Sequence, residues 1–171
     1  MTFRLATTKD LQSLKTMYSE IADNLTKNNI KIYWSEFYPY EEIEEVDISN
    51  NTFYVLEQHD KIVGGINLSL SHEKADNVSW NSKNAKAIYI SKLGVNTHHL
   101  KKGIGTMLIE NAKQLARKQG ANTIRLFVVD INTPAINLYE KNGFLKIKDT
   151  VQEYLDYHGV TLTELCYELQ I

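Results

Sequence analysis

The sequence predicts a single α/β (mixed α+β) domain over residues 1–171, with helices on both faces of a mixed, mostly antiparallel sheet. Strand-like runs, two of them paired as hairpins, and amphipathic helical patterns occur along the chain. One such run passes directly into a Gly-x-Gly turn that opens a long helix. The 171 residues are 43% hydrophobic and 23% charged, which suffices for one domain with a real core.

The first elements are a short strand and a helix. Residues 3–6 form the strand, and the helix runs to about Asn24 with Thr7 or Thr8 as its cap. Apolar side chains recur at helical spacing along it: Leu11, Leu14, Met17, Tyr18 and Ile21. This stripe predicts a helix packed on a sheet.

Residues 30–49 are predicted to be irregular and helical, and they are rich in aromatic and acidic side chains. The aromatic residues are Tyr33, Trp34, Phe37, Tyr38 and Tyr40. The acidic residues are Glu41, Glu42, Glu44, Glu45 and Asp47. A hairpin around His59-Asp60-Lys61 follows, with strands over residues 52–58 and 62–71. Residues 71–84 are predicted to be a polar loop.

The next strand, helix and strand form the centre of the chain. The strand Ala87–Val95 leads through a polar loop to a helix over residues 103–119, which Gly120 ends in the left-handed conformation. The strand Thr123–Val129 comes next, and then a short helix in which Thr133 is the expected cap and Pro134 fits the first turn. A closing hairpin over residues 145–154 and 162–169 turns at His158-Gly159.

The turn at Gly103-Ile104-Gly105 is typical of a phosphate site, because unpaired N–H groups and the helix dipole meet there. A P-loop would need Lys after its second glycine, where this chain has Thr106. A dinucleotide fingerprint would need a third glycine, where it has Leu108. The turn alone is also explained by an ordinary helix start.

A second segment, residues 130–144, adds Asn132 after a strand and Tyr139-Glu140-Lys141-Asn142-Gly143-Phe144 at the end of a short helix. With both segments, residues 88–144 resemble the GNAT superfamily of N-acetyltransferases. The resemblance implies the GNAT fold, a central sheet splayed between the strands Ala87–Val95 and Thr123–Val129. Leu100 and Lys101 stand where the family has Arg or Gln and then often Gly, so the contribution of an Arg side chain is lost there, and Lys101 or Lys102 is the expected substitute.

The resemblance also implies acetyl-CoA as co-substrate, with no metal. Main-chain groups of Leu93 and Val95 would pair with the pantetheine arm. The pyrophosphate would lie on one continuous stretch: Leu100, Lys101, Lys102, Gly103, Ile104, Gly105 and Thr106. The Asn132 amide would contact the cofactor arm, and Tyr139 would protonate the departing thiolate. Core packing for Leu93, Val95 and Tyr139, a solvated lysine pair and a turn role for Asn132 stay open as alternatives.

The implied reaction is direct attack of a primary amine on the thioester, which requires removal of a proton from the amine. The family often places a Glu on the first cofactor strand, but Ala87–Leu93 here has no carboxylate. The ionisable residues near strand ends are Glu57, His72, Glu153 and His158. Each is better explained as an exposed polar residue, so no base is named.

The acceptor side is expected in residues 30–49, where aromatic faces and carboxylates suit a cationic amine. The chain also resembles small bacterial PaiA-type polyamine acetyltransferases, which implies a polyamine such as spermidine. Protein N-termini, other small amines and an acetyl-CoA sensor without turnover are the alternatives.

The remaining expectations come from composition. A net charge of −2 does not favour nucleic acid as a partner. No apolar run predicts a membrane span or a signal peptide, and the single cysteine, Cys166, suits the cytoplasm. Cys166 is expected to be buried packing and not a nucleophile. A homodimer is left open.

Overall fold

The computed structural model describes residues 1–34 and 38–171, so the predicted aromatic residue Phe37 lies outside the described residues. Seven strands follow the hydrogen-bonded order β1-β2-β3-β4-β5-β7-β6. The β4–β5 pair is parallel, whereas the pairs β1–β2, β2–β3, β5–β7 and β6–β7 are antiparallel. This mixed, mostly antiparallel sheet with its helices confirms the predicted fold class.

The strands are β1 (Thr2–Leu5), β2 (Phe53–Gln58), β3 (Lys61–Ser69), β4 (Ala87–Val95), β5 (Thr123–Val129), β6 (Leu145–Leu155) and β7 (Val160–Gln170). The helices are α1 (Leu11–Lys27), α2 (Tyr40–Glu42), α3 (Ile104–Lys118) and α4 (Thr133–Lys141). Helix α2 continues into a π-helical turn, Ile43–Asp47. The chain divides into two compact units, of which the first contains Met1–Leu68 and Ser91–Ala112 and the second Ser69–Ile90 and Lys113–Ile171.

In the first unit, helices cover both faces of β3, as two adjacent glycines reveal. A Cβ at Gly64 would lie 3.0 Å from Leu108 of α3, whereas one at Gly65 would lie 2.9 Å from the Phe53 ring and 3.2 Å from the Tyr18 hydroxyl oxygen of α1. Successive strand residues point to opposite faces. A side chain at Gly64 would therefore press on α3, and one at Gly65 would collide with Phe53 of β2 and press on α1.

The predicted apolar stripe of α1 is buried against β2. Leu14, Met17 and Tyr18 pack with Phe53 and Val55. The helix starts later than predicted, at Leu11, because Thr8–Asp10 form a 3₁₀ turn that Thr7 caps. It also runs beyond Asn24, to Lys27.

In the second unit, β4 and β5 are paired over four residues, from Ala87↔Thr123 to Ile90↔Leu126, and the ladder ends there. β5 is then paired with β7 along its whole length, from Thr123↔Gln170 to Val129↔Glu164. The predicted polar loop 71–84 is only partly polar, because Val78 and Trp80 are buried beside Tyr89 and Cys166. The guanidinium of Arg125 lies 4.6 Å from the Trp80 ring centroid, which accounts for an indole in this loop.

Candidate active site

The end of β4 is held by α1 through a buried contact. Lys92 adopts a left-handed backbone, with φ +51°, and its carbonyl accepts a 2.5 Å hydrogen bond from the Tyr18 hydroxyl. A Cβ at Gly94 would lie 2.8 Å from Tyr18, so only glycine fits beneath this ring. Leu93 and Val95, the predicted pantetheine-binding residues, are half-buried on either side of Gly94. A left-handed residue interrupts the regular strand immediately before them.

The loop after β4 forms the helix start that the sequence predicts. Asn96 caps a 3₁₀ turn, Thr97–His99, by accepting a 3.0 Å bond from the His98 N–H. Gly103 has φ +80°, and α3 begins at Ile104. The Met107 N–H donates to the Gly103 carbonyl at 3.0 Å, so the amides of residues 104–106 precede the intrahelical ladder. This geometry suits an anion, which the helix dipole also favours.

The predicted pyrophosphate residues divide into an exposed and a buried group. Leu100, Lys101, Lys102 and Gly103 are exposed, whereas Ile104 and Gly105 are buried in the first turn of α3 and Thr106 is half-buried. The Lys102 ammonium donates to the His98 carbonyl at 3.0 Å, which holds this charge over the loop. A Cβ at Gly103 would meet no described atom within 4 Å, so space is open there.

A surface pocket of about 450 Å³ lies beside this loop in the first unit. Its lining includes His59 and Lys61 of the β2–β3 hairpin together with His99 and Lys102. Two histidines and two lysines therefore face one space next to the start of α3. The sequence did not indicate that the hairpin tip and this loop converge, because their residues are far apart along the chain.

Asn132 caps α4 in the second unit. Its Oδ1 accepts a 3.4 Å hydrogen bond from the Ala135 N–H, and the helix itself begins at Thr133. The prediction of Thr133 as the cap is therefore wrong. An Asn at this position is preferred because its short side chain reaches the amides of the first turn.

Tyr139 lies on α4 and is buried, with its ring edge against Phe144 at a centroid distance of 5.6 Å. Burial raises the pKa of its hydroxyl well above the usual value near 10. The side chain therefore stays protonated at all physiological pH values, as a hydrogen-bond donor must.

The four ionisable residues that the sequence left open as bases have different surroundings. Glu57 accepts hydrogen bonds from Arg4, and Glu153 pairs with Lys74 at 2.7 Å. His72 stacks on Phe127 with a centroid distance of 4.5 Å, and His158 is exposed in the β6–β7 turn. Glu57 and Glu153 are thus committed to ion pairs.

The structure adds an ionic cluster around the buried Lys92 that could not be seen in the sequence. Lys92 Nζ lies 2.6 Å from Asp47 Oδ2 and 3.2 Å from Glu42 Oε1. Burial raises the pKa of Asp47, and the pairing with Lys92 opposes that shift. Asp47 therefore differs from the exposed Glu41, Glu44 and Glu45 in the same acidic run. The signal in the sequence is a lysine inside a mostly apolar strand.

Cys166 is buried in the second unit, and burial raises the pKa of its thiol to about 11. The thiolate is the reactive form of cysteine, so a protonated thiol agrees with a packing role. Among residues 1–34 and 38–171, no group of three or more His, Cys, Asp or Glu side chains is placed to hold a metal ion. Over the same ranges, every helix is too short or too polar to cross a membrane.

The comparison with known protein families decides the family to which this chain belongs. Residues 15–144 match the model of the acetyltransferase (GNAT) family, which is most of the chain. This chain belongs to the GNAT family. The expected resemblance is thereby confirmed at the level of the family, whereas the PaiA-type subfamily is not.

Individual relatives agree with the family. Streptothricin acetyltransferase of Streptomyces lavendulae is 31% identical over 59% of this chain, although the match covers 48% of that protein. A crystal structure of a candidate acetyltransferase from Staphylococcus aureus Mu50 is 27% identical, with a TM-score of 0.72 and 99% coverage of both chains. A candidate streptothricin acetyltransferase from Bacillus anthracis, solved with acetyl coenzyme A, is 25% identical, with a TM-score of 0.53, over 70% of this chain and 61% of that one. The chain thus spans about half the length of the first curated relative.

Proposed function

We propose that this GNAT-family chain, acting as one domain over residues 1–171, transfers an acetyl group from acetyl-CoA to a primary amine. The observation that carries the proposal is the loop after β4, where Gly103 adopts a left-handed backbone immediately before α3. The first amides of α3 precede its intrahelical hydrogen bonds and are suited to an anion. A related protein has been solved with acetyl coenzyme A, which supports the same ligand here.

The cofactor roles follow from this geometry. Amides of residues 104–106 would hold the pyrophosphate, with Lys101 and Lys102 adding positive charge. Main-chain groups of Leu93 and Val95 would pair with the pantetheine arm in the manner of an added strand. Asn132 would contribute its amide nitrogen, because its oxygen already caps α4.

The proposed acetyl transfer has two steps, addition of the amine to the thioester and expulsion of the sulfur. The amine lone pair attacks the thioester carbonyl, and the resulting tetrahedral intermediate then expels the sulfur as the C–S bond breaks. The nitrogen loses one proton and the sulfur gains one. We assign Tyr139 to the sulfur, where its hydroxyl donates to the developing thiolate.

The raised pKa of Tyr139 determines how this donation works. A free thiol has a pKa of ~8.5 and a phenol one of ~10, so full transfer from Tyr139 runs uphill by at least ~2 kcal/mol. The phenol therefore donates its hydrogen bond while negative charge develops on the sulfur. The proton that the amine loses passes through solvent, so that the sulfur leaves as a thiol and Tyr139 ends the reaction protonated. A permanently protonated, buried phenol suits that role.

We further propose that the acceptor is a polyamine such as spermidine. The exposed carboxylates of Glu41, Glu44 and Glu45 support this choice, since they concentrate negative charge on one short segment of the first unit. Tyr38 adds an exposed aromatic ring next to this segment, which suits a cationic amine, whereas Trp34 packs against Tyr18 and Tyr40 is buried.

The test is an acceptor screen that follows release of free CoA thiol. The panel contains spermidine, spermine, diamines, free amino acids and peptides with free N-termini. Rapid thiol release with polyamines is the expected result. Turnover of peptides alone would replace the polyamine with a protein N-terminus. Binding of acetyl-CoA without turnover of any amine would instead identify a sensor.

A further inference from the structure

Asn67 of β3 is a buried polar side chain with an unused hydrogen-bond acceptor. It is 6% exposed, and its Nδ2 donates to Ser91 Oγ of β4 at 3.1 Å. Among buried side-chain oxygen and nitrogen atoms of residues 1–34 and 38–171, its Oδ1 has no hydrogen-bond partner. Turning the amide over would leave the nitrogen unpaired instead. Such an atom costs about 1–3 kcal/mol, which is rarely retained without a role.

Asn67 lies on the face of β3 that points to α1. It is two residues after Gly65, so both share one face, and at Gly65 that face approaches the Tyr18 hydroxyl. Tyr18 in turn donates to the carbonyl of Lys92, the residue that follows the hydrogen-bond partner of Asn67. The orphan oxygen is therefore next to the irregular part of β4, immediately before the proposed pantetheine-binding residues.

The acidic segment, residues 41–47, is connected to the end of β3 by backbone hydrogen bonds. The Leu68 N–H donates to the Thr52 carbonyl at 2.9 Å, and the Thr52 N–H donates to the Asp47 carbonyl at 3.0 Å. Asp47 then pairs with Lys92. The Asn67 side chain thus bonds to Ser91, whose neighbour Lys92 pairs with Asp47, and the backbone of the next residue, Leu68, leads through Thr52 to the same Asp47.

We infer that Asn67 Oδ1 accepts a hydrogen bond from the N–H of the primary amine that is acetylated. The inference rests on the proposed transferase function and names the subsite that receives the nucleophile. A primary amine needs its lone pair for attack and has N–H groups left to donate. Asn67 orients one of these N–H groups and so directs the lone pair.

An amide suits this position better than a carboxylate. A carboxylate next to the amine would favour the ammonium form, which has no lone pair to attack with. The Asn67 oxygen accepts from a neutral amine without adding a negative charge. The exposed Glu41, Glu44 and Glu45 can then attract the other, charged nitrogens of a polyamine.

The test compares Asn67→Leu with the wild type. Leucine has the same number of side-chain heavy atoms and the same branching at Cγ, and it removes the unpaired oxygen together with the bond to Ser91. The midpoint of thermal unfolding should stay equal or rise, and the Kd for acetyl-CoA should stay unchanged. The kcat/KM for the amine found in the acceptor screen should fall at least tenfold, as expected for about 1.4 kcal/mol of lost hydrogen bonding. Asn77→Leu, at an exposed asparagine, is the matched control and should change neither quantity.

A second variant, Asn67→Asp, tests the argument about charge. Its kcat/KM should fall at neutral pH and recover as the pH rises, because the carboxylate raises the pKa of the bound amine. A residue that only supports the fold would not shift the pH profile. If both Asn67 variants keep wild-type amine kinetics, or if Asn67→Leu lowers the unfolding midpoint alone, the inference is overturned.

A direct measurement of amine binding distinguishes failure of this inference from failure of the proposed transferase function. Spermidine and butylamine are titrated calorimetrically into the protein saturated with CoA. If the wild type binds an amine but releases no thiol from acetyl-CoA, the transferase proposal fails, and loss of that binding in Asn67→Leu still supports the subsite. Equal binding by both proteins, or binding by neither, overturns the subsite.

Discussion

At the scale of single residues, Tyr139 combines burial, a raised pKa and a place on α4 that matches the family motif. Tyr139→Phe retains the ring and its packing on Phe144, so stability and the Kd for acetyl-CoA should change little. The kcat should fall by ~10²-fold if the donated proton matters in the rate-limiting step. Stopped-flow measurement of thiol release checks this. A Phe variant with wild-type kcat would assign protonation of the sulfur to water.

The pH profile offers a second test of the same hydroxyl. Because the pKa of Tyr139 lies well above 10, its proton is retained throughout the range from about pH 7 to pH 10. Over that range a larger fraction of the amine is neutral, so kcat/KM should rise with pH. A fall of kcat/KM near pH 9 in the wild type that is absent in Tyr139→Phe would contradict the raised pKa.

The buried pair of Lys92 and Asp47 makes a prediction about stability. Lys92→Met leaves a buried carboxylate without its partner and should lower the free energy of unfolding by about 3–5 kcal/mol. The double variant Lys92→Met/Asp47→Leu removes both charges and should recover most of that loss. Urea denaturation measures both, with Lys101→Met at an exposed lysine as the control. No recovery in the double variant would mean that the pair itself stabilises the fold.

At the scale of elements, the turn between β4 and α3 could be predicted from the sequence because its signals are local. The apolar strand, the glycines and the helical spacing all lie within residues 88–119, and the structure contains each element there. The convergence of Asn67, Asp47 and Lys92 could not be predicted in this way. Asp47 and Lys92 are 45 residues apart and meet through strand pairing and a π-helical turn, which no local pattern encodes.

The two lysines of the same turn are predicted to act by charge. Lys101→Ala/Lys102→Ala should weaken acetyl-CoA binding modestly, and the difference from wild type should shrink as the salt concentration rises, because both side chains are exposed. Calorimetry at low and high ionic strength measures this. Lys9→Ala/Lys27→Ala, which removes two exposed lysines from the ends of the α1 region, is the control. A deficit that does not depend on salt would indicate direct, desolvated contacts.

The ion pair between Arg4 of β1 and Asp10, at the start of α1, makes the stability of the protein depend on pH. Arg4 donates to Asp10 at 2.8 Å and holds the pKa of that carboxyl below its usual range. A lowered pKa contributes stability above the unfolded value of ~3.9, and that stability is lost as the pH falls through the folded value. Asp10→Asn should therefore cost about 1 kcal/mol at neutral pH and less at about pH 3, where the carboxyl of the unfolded chain is mostly protonated. Urea denaturation at both pH values tests this, and a constant cost would assign it to helix capping alone.

At the scale of the whole molecule, a net charge of −2 produces little overall attraction for a cation, so any steering must come from a local concentration of charge. Residues 41–47 supply such a concentration of negative charge, but not all of their carboxylates face solvent. Glu41, Glu44 and Glu45 are exposed, whereas Asp47 is buried with Lys92. The prediction about steering therefore concerns the exposed glutamates.

Changing Glu41, Glu44 and Glu45 together to lysine should raise the KM for spermidine more than it lowers kcat, since long-range attraction acts on encounter and binding. The effect should fade at high ionic strength, and the Kd for acetyl-CoA should not increase. Changing Asp23, Glu73 and Asp156 to lysine alters the net charge equally at three exposed positions outside the run, and should affect KM far less. If both triple variants shift KM alike, overall charge and not this segment attracts the amine, and the polyamine proposal loses the support it has outside family resemblance.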